Sequence, residues 1–106
     1  MINSSEVRKL IELSLSFEPP FNELTKTLHK KVNFEKEITV RELLEYLKNE
    51  YGEHFYTLIW DKKKKGEFSS FLSIIINGIS FRGDNFLDMK LKNEDDITLL
   101  YLYFGG

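Results

Sequence analysis

At 106 residues the chain is the size of one ordinary domain. Its 42% hydrophobic and 30% charged residues are enough to close a core, which argues against intrinsic disorder. A net charge of −2 and the absence of cysteine exclude a general electrostatic pull toward nucleic acid or anionic membrane, and with it disulfides and thiolate chemistry.

Lys9 to Phe17 alternates as a strand, with Ile11, Leu13, Leu15 and Phe17 on one face and Glu12, Ser14 and Ser16 on the other. Pro19-Pro20 ends it, because neither residue can donate to a ladder. Phe21 to Leu28 fits a loop or a short helical turn. From Leu28 to Phe34 the alternation returns, Leu28, Lys30, Val32 and Phe34 against His29, Lys31 and Asn33, and this predicts an antiparallel hairpin with the first strand.

Thr39 to Tyr51 carries the clearest pattern. Thr39 is a good N-cap, and Glu42 three residues on completes a capping box. Val40, Leu43, Leu44, Leu47 and Tyr51 form one apolar stripe, and Gly52 supplies the positive φ that stops a helix. Phe55 to Trp60 fits helix or strand, and Asp61 to Ser70 is a polar loop. Phe71 to Ile76 reads as a central strand. Asn77-Gly78 is a strong hairpin turn because both residues tolerate positive φ, and Ile79 to Phe81 returns. Lys92 to Asp96 is a polar turn, and Ile97 to Phe104 is the final strand. The order of strand, strand, helix, strand, short strand, strand predicts an α+β fold, a mixed sheet of about five strands on one main helix.

Little here carries chemistry. His29 and His54 stand in polar contexts without Cys, a second His or a carboxylate cluster at metal-ligand spacing, so neither a metal site nor a catalytic residue is expected. Glu94, Asp95 and Asp96 lack the glycine and ligand spacing of a calcium loop. Lys62 to Lys65 is a solvated run with no interleaved aromatics for base stacking, so no direct nucleic-acid contact is expected. No nucleophile–base pairing or phosphate loop can be assembled, and the chain does not read as an enzyme. The first residues, Met1 to Glu6, lack the order of a signal peptide, and no apolar run approaches the roughly 20 residues of a membrane helix. The expectation is a soluble, cytoplasmic protein without membrane contact.

The ending is unusual. Ile97, Leu99, Tyr101 and Tyr103 share one face of the last strand and Thr98, Leu100, Leu102 and Phe104 the other, so both faces are apolar before Gly105-Gly106. Such a strand is central and covered twice, or one side meets a partner.

With "ITVRELLEYL" opening the helix, "LSIIINGISF" in the middle and "MKLKNEDDITLLYLYFGG" at the close, the chain resembles the ubiquitin-like β-grasp superfamily. The resemblance is to the MoaD and ThiS sulfur carriers and, more nearly, to the ubiquitin-related modifiers, and it runs from the first strand to the end. It implies one β-grasp domain over residues 1–106 with a flexible tail at 102–106. It also implies a sulfur carrier or protein modifier whose Gly106 carboxylate, preceded by Gly105, is adenylated by an E1-like activating enzyme. The product is a thiocarboxylate, as in tRNA thiolation, or an isopeptide. Leu100, Tyr101, Leu102, Tyr103 and Phe104 become partner contacts, Ile97 and Leu99 core residues. No cofactor is bound, and ATP is used by the activating enzyme. A sulfurtransferase or acceptor protein completes the set of partners. One alternative is the small subunit of molybdopterin synthase, docking on the large subunit in molybdenum cofactor biosynthesis. Another is a non-covalent interaction domain. Where MoaD proteins commonly carry prolines before the glycines, this tail has Tyr101-Leu102-Tyr103-Phe104.

Overall fold

Strict alternation of apolar and polar side chains builds the first strand. In β1 (Ile11–Phe17) Ile11, Leu13, Leu15 and Phe17 are buried, and the residues between them are half-covered. The computed structural model describes residues 11–60, 69, 71–81 and 86–101. Lys9, nearly all of the polar loop at 61–70 and the stretch 102–106 lie outside them.

The chain continues through α1 (Phe21–Thr25), β2 (His29–Phe34), β3 (Ile38–Thr39), α2 (Val40–Tyr51), α3 (Glu53–Ile59), β4 (Leu72–Ile76), β5 (Ile79–Phe81), β6 (Lys90–Leu91) and β7 (Asp96–Tyr101). The main sheet has the order β2-β1-β7-β4-β5. β1 and β2 are antiparallel, with Leu13 opposite Val32. β7 runs parallel to β1, Leu15 opposite Ile97, and antiparallel to β4, Leu99 opposite Ile74. The fold is therefore α+β with a mixed five-stranded sheet, as the order of elements predicts.

α2 covers one face of that sheet. Thr39 Oγ1 accepts from the Glu42 N–H at 3.1 Å while Glu42 Oε1 accepts from the Thr39 N–H at 2.8 Å, so the predicted capping box is formed. Two further first-turn donors find carbonyls in a segment the sequence left unassigned: Val40 N–H donates to Met89 and Arg41 N–H to Leu87, each at 3.0 Å. The same segment supplies β6, paired with β3, and buries Phe86, Leu87 and Leu91. Val40, Leu43 and Leu44 face Ile74, Ile76, Ile97 and Leu99 across the core. Truncating any of the buried leucines to alanine is worth about 2–5 kcal/mol.

The run at Phe55–Trp60, open between helix and strand, is helical. Gly52 joins α2 to α3 at φ 93° and ψ −177°, a region closed to residues with a Cβ. The chain turns there, so α3 buries Phe55 and Ile59. Phe55 packs edge-on to Phe17 at 6.1 Å and stacks with Tyr51 at 5.5 Å. Phe21 in α1 completes this cluster, 5.3 Å from Phe55.

Candidate functional site

β7 is the middle strand of the main sheet, paired with β1 on one side and β4 on the other, and each end is fixed by a different device. At its start, Asn77 occupies the left-handed region at φ 52° and is followed by Gly78 at φ 85°, the turn expected from their sequence. The Asn77 side chain reaches across to β7: Nδ2 donates to Asp95 Oδ1 at 2.8 Å, and Oδ1 accepts from the Asp96 N–H at 2.9 Å. Asp95 Oδ2 accepts from the Lys92 N–H at 2.7 Å, so both carboxylate oxygens of Asp95 are engaged in building the turn. Asn93 Oδ1 accepts from the Glu12 N–H, joining β1 to the same corner. The acidic cluster at 94–96 is thus a structural turn.

At the other end, Tyr101 closes the described part of β7. Its ring meets Phe21 edge-on at 5.5 Å and lies 6.2 Å from Phe71, and its hydroxyl donates to the Leu58 carbonyl in α3. Of the five residues read as partner contacts, Leu100 and Tyr101 fall within the described part, and the strand divides them. Tyr101 is on the helix-covered face with Ile97 and Leu99, half-buried against the domain's own aromatics. Leu100 is on the opposite face, across from Ser73, and half-exposed. Leu102, Tyr103, Phe104, Gly105 and Gly106 lie outside the described residues.

Two apolar side chains at this end were not picked out by sequence. Leu28, whose carbonyl accepts from the Phe17 N–H, is 52% exposed, and Phe71, one residue before β4, is 46% exposed. Phe17, Leu28, Phe71 and Tyr101 lie along the same end of the sheet, so Tyr101, the last described residue, sits at an apolar rim. The signal in the sequence is slight: each residue stands just outside the strand to which its alternation points.

The face of the sheet away from α2 carries small hydroxyl side chains. Ser16, opposite Thr98 in β7, lies with Oγ 3.1 Å from His29 Nδ1, and Ser73 is buried with its Oγ 2.8 Å from Ser80 Oγ. His54 is exposed on α3. Among the described residues no three His, Cys, Asp or Glu side chains come together as a metal-binding group, and no helix is long and apolar enough to cross a membrane. Among the described residues, two groups titrate away from their ordinary range. The Tyr51 hydroxyl, 3.0 Å from Lys30 Nζ, raises the lysine against the opposing effect of burial. Burial, aided by a 2.9 Å hydrogen bond to Glu45, raises the Tyr56 phenol.

No protein-family model matches this sequence, and no curated protein sequence does. Solved structures do match in shape. The small archaeal modifier protein 1 of Methanosarcina acetivorans superposes with a TM-score of 0.67 at 22% identity, over 92% of this chain and 99% of that one. A putative molybdopterin converting factor, subunit 1, from Pyrococcus furiosus gives 0.64 at 18% identity over 88% and 99%. Mycobacterium tuberculosis CysO gives 0.70 at 17% identity over 86% and 99%. The shared architecture is the ubiquitin-like β-grasp fold, the one the sequence motifs imply.

Proposed function

We propose that this β-grasp domain is a sulfur carrier or protein modifier, and that its reacting group is the Gly106 carboxylate. The observation that carries this reading is the placement of β7. The middle strand of the sheet is fastened at Tyr101, and directly after it comes a short stretch ending in Gly105-Gly106. Fully extended, 102–106 reaches about 17 Å, enough to pass into a narrow cleft of another protein while the folded domain stays outside. Gly105, lacking a Cβ, permits close backbone approach there. The likeness to an archaeal modifier protein and to a molybdopterin converting factor subunit supports the same class.

The chemistry belongs to an activating enzyme. The terminal carboxylate attacks the α-phosphorus of ATP and expels pyrophosphate, leaving an acyl adenylate. A hydrosulfide equivalent then displaces AMP to give the thiocarboxylate, or a lysine amine displaces it to give an isopeptide and release a proton. This chain contributes the carboxylate, the reach of 102–106 and the docking surface. Its described apolar residues are Leu28 and Phe71 at the Tyr101 end of the sheet and Leu100 on the face away from α2, and Leu102, Tyr103 and Phe104 follow in sequence.

The test is ATP–pyrophosphate exchange with the E1-like adenylyltransferase of the source cell. Removing Gly106, or Gly105→Trp, is expected to abolish exchange while thermal unfolding is unchanged; undiminished exchange in either variant would sink the proposal. Intact-mass measurement of protein from its own cells then separates the products. Replacement of one oxygen by sulfur marks the carrier, and a branched peptide bearing Gly106 on lysine marks the modifier. A second reading, the sulfur-donating subunit of molybdopterin synthase, draws on the Pyrococcus likeness and requires copurification of a larger catalytic subunit.

A further inference from the structure

The sheet has two outer strands, and they differ in what they offer. The Phe17 N–H donates to the Leu28 carbonyl, which fixes the phase of the β1–β2 ladder. Leu28, Lys30, Val32 and Phe34 therefore spend their main-chain groups on β1. His29, Lys31 and Asn33 turn theirs outward, and all three residues are exposed. The His29 carbonyl accepts from Thr27 Oγ1 at 2.8 Å. Among the described residues, the N–H and C=O of Lys31 and Asn33 meet nothing. β5, at the other edge, is a three-residue arm that turns only Ser80 outward. Among the described residues, β2 is the edge with length and donors enough to extend the sheet.

We infer that β2 is a self-association edge, pairing antiparallel with β2 of a second copy about a two-fold axis at Val32. Both members of an added narrow pair must have outward main-chain groups, and with the His29 carbonyl already engaged the pairs are drawn from Lys31 and Asn33. A first register, centred on Lys31, places Lys31 opposite Lys31 and is opposed by like charge. A second, centred on Val32, places Lys31 of each copy opposite Asn33 of the other, making four main-chain hydrogen bonds with no like charges directly opposed. A third, centred on Asn33, makes a single narrow pair from these residues.

The second register also suits the helix-facing side. Val32 falls opposite Val32, and each half-buried Lys30 falls opposite Phe34 of the second copy. Phe34 stands edge-on to Tyr46 at 5.2 Å, so the ammonium approaches an aromatic pair. Lys30 already lies 5.2 Å from the Tyr51 ring in its own copy. Lys30 Nζ also donates to the Tyr51 hydroxyl at 3.0 Å within its own copy, while the ion pairs Lys30–Glu50 at 3.9 Å and Lys31–Glu12 at 3.8 Å are long and hold the lysines weakly. The axis joins two five-stranded sheets into one and sets the two β7 strands antiparallel. The ends at Tyr101 then point in opposite directions, and the association is independent of the chemistry proposed above.

Sedimentation velocity of the full chain across a wide concentration range tests this. The expected result is a monomer–dimer equilibrium. Lys31→Pro removes one outward donor without touching the β1 ladder and is expected to give monomer with an unchanged melt. Asn33→Lys, which creates two symmetric like-charge contacts, is expected to weaken the dimer roughly tenfold. Adding Lys31→Glu to it restores association, because the introduced carboxylate then faces the introduced lysine. A wild-type chain monomeric at every concentration overturns the inference. So does a dimer unaffected by Lys31→Pro, or one that the charge swap fails to restore.

Discussion

The Tyr101 hydroxyl donates to the Leu58 carbonyl, bonding the far end of the central strand to a helix more than forty residues earlier in the chain. That bond and the ring's packing against Phe21 are separable. Tyr101→Phe keeps the ring and leaves the carbonyl short of a donor, and is expected to lower unfolding free energy by about 1 kcal/mol. Tyr101→Ala loses the packing as well and should cost about 2–4 kcal/mol. Urea unfolding of the two variants measures the difference.

Asn77 combines a left-handed backbone with two side-chain hydrogen bonds to the start of β7. Asn77→Ala is expected to cost about 2–3 kcal/mol, part backbone strain and part lost bonding. Asn77→Gly relieves the strain alone, and so should fall between wild type and alanine in a thermal melt.

Gly52 has open space where a Cβ would sit, so its restriction comes from φ and ψ and not from crowding. Gly52→Ala should therefore cost about 1–3 kcal/mol even though nothing clashes with the new methyl. A loss below a few tenths of a kcal/mol in denaturant titration would contradict this.

Lys30 and Tyr56 both have folded-state pKa values above their ordinary ones, the first through the Tyr51 hydroxyl and the second through burial. A raised value means the folded state holds its proton where the unfolded chain has released it. Stability is then fully present below about pH 10 and declines as pH rises through the folded values. Tyr56→Phe and Lys30→Met should each flatten the alkaline limb of stability against pH, and leave the neutral region level.

Local signals were legible and long-range ones were not. Thr39 with Glu42, and Asn77 with Gly78, specify their cap and turn through neighbours only a few residues away, and both are formed. The alternation of β7 likewise separates Leu100 from Ile97 and Leu99. It does not show that Tyr101 finds Leu58, because that partner is set by how α3 turns at Gly52. Phe55–Trp60 is too short for its period to distinguish helix from strand. β3 and β6 are two residues each, and their pairing rests on Leu91 meeting Ile38 across the sequence. Leu28 and Phe71 read as ordinary strand ends, and only the register of β1, β4 and β7 gathers them at one rim.

The position of β7 also governs how the chain reaches this structure. β1 and β4 share no ladder with each other; each is hydrogen-bonded to β7. Until residues 96–101 are available, the β1–β2 hairpin and the β4–β5 hairpin are separate pieces, with α2 lacking half the surface it covers. Closure of the core is consequently a late, long-range event, and the folding rate should be that of a chain with distant contacts and not of its fast local hairpins. A nascent chain stopped before Asp96 would have no middle to its sheet, so partial products would expose Ile74 and Ile76 and be candidates for degradation.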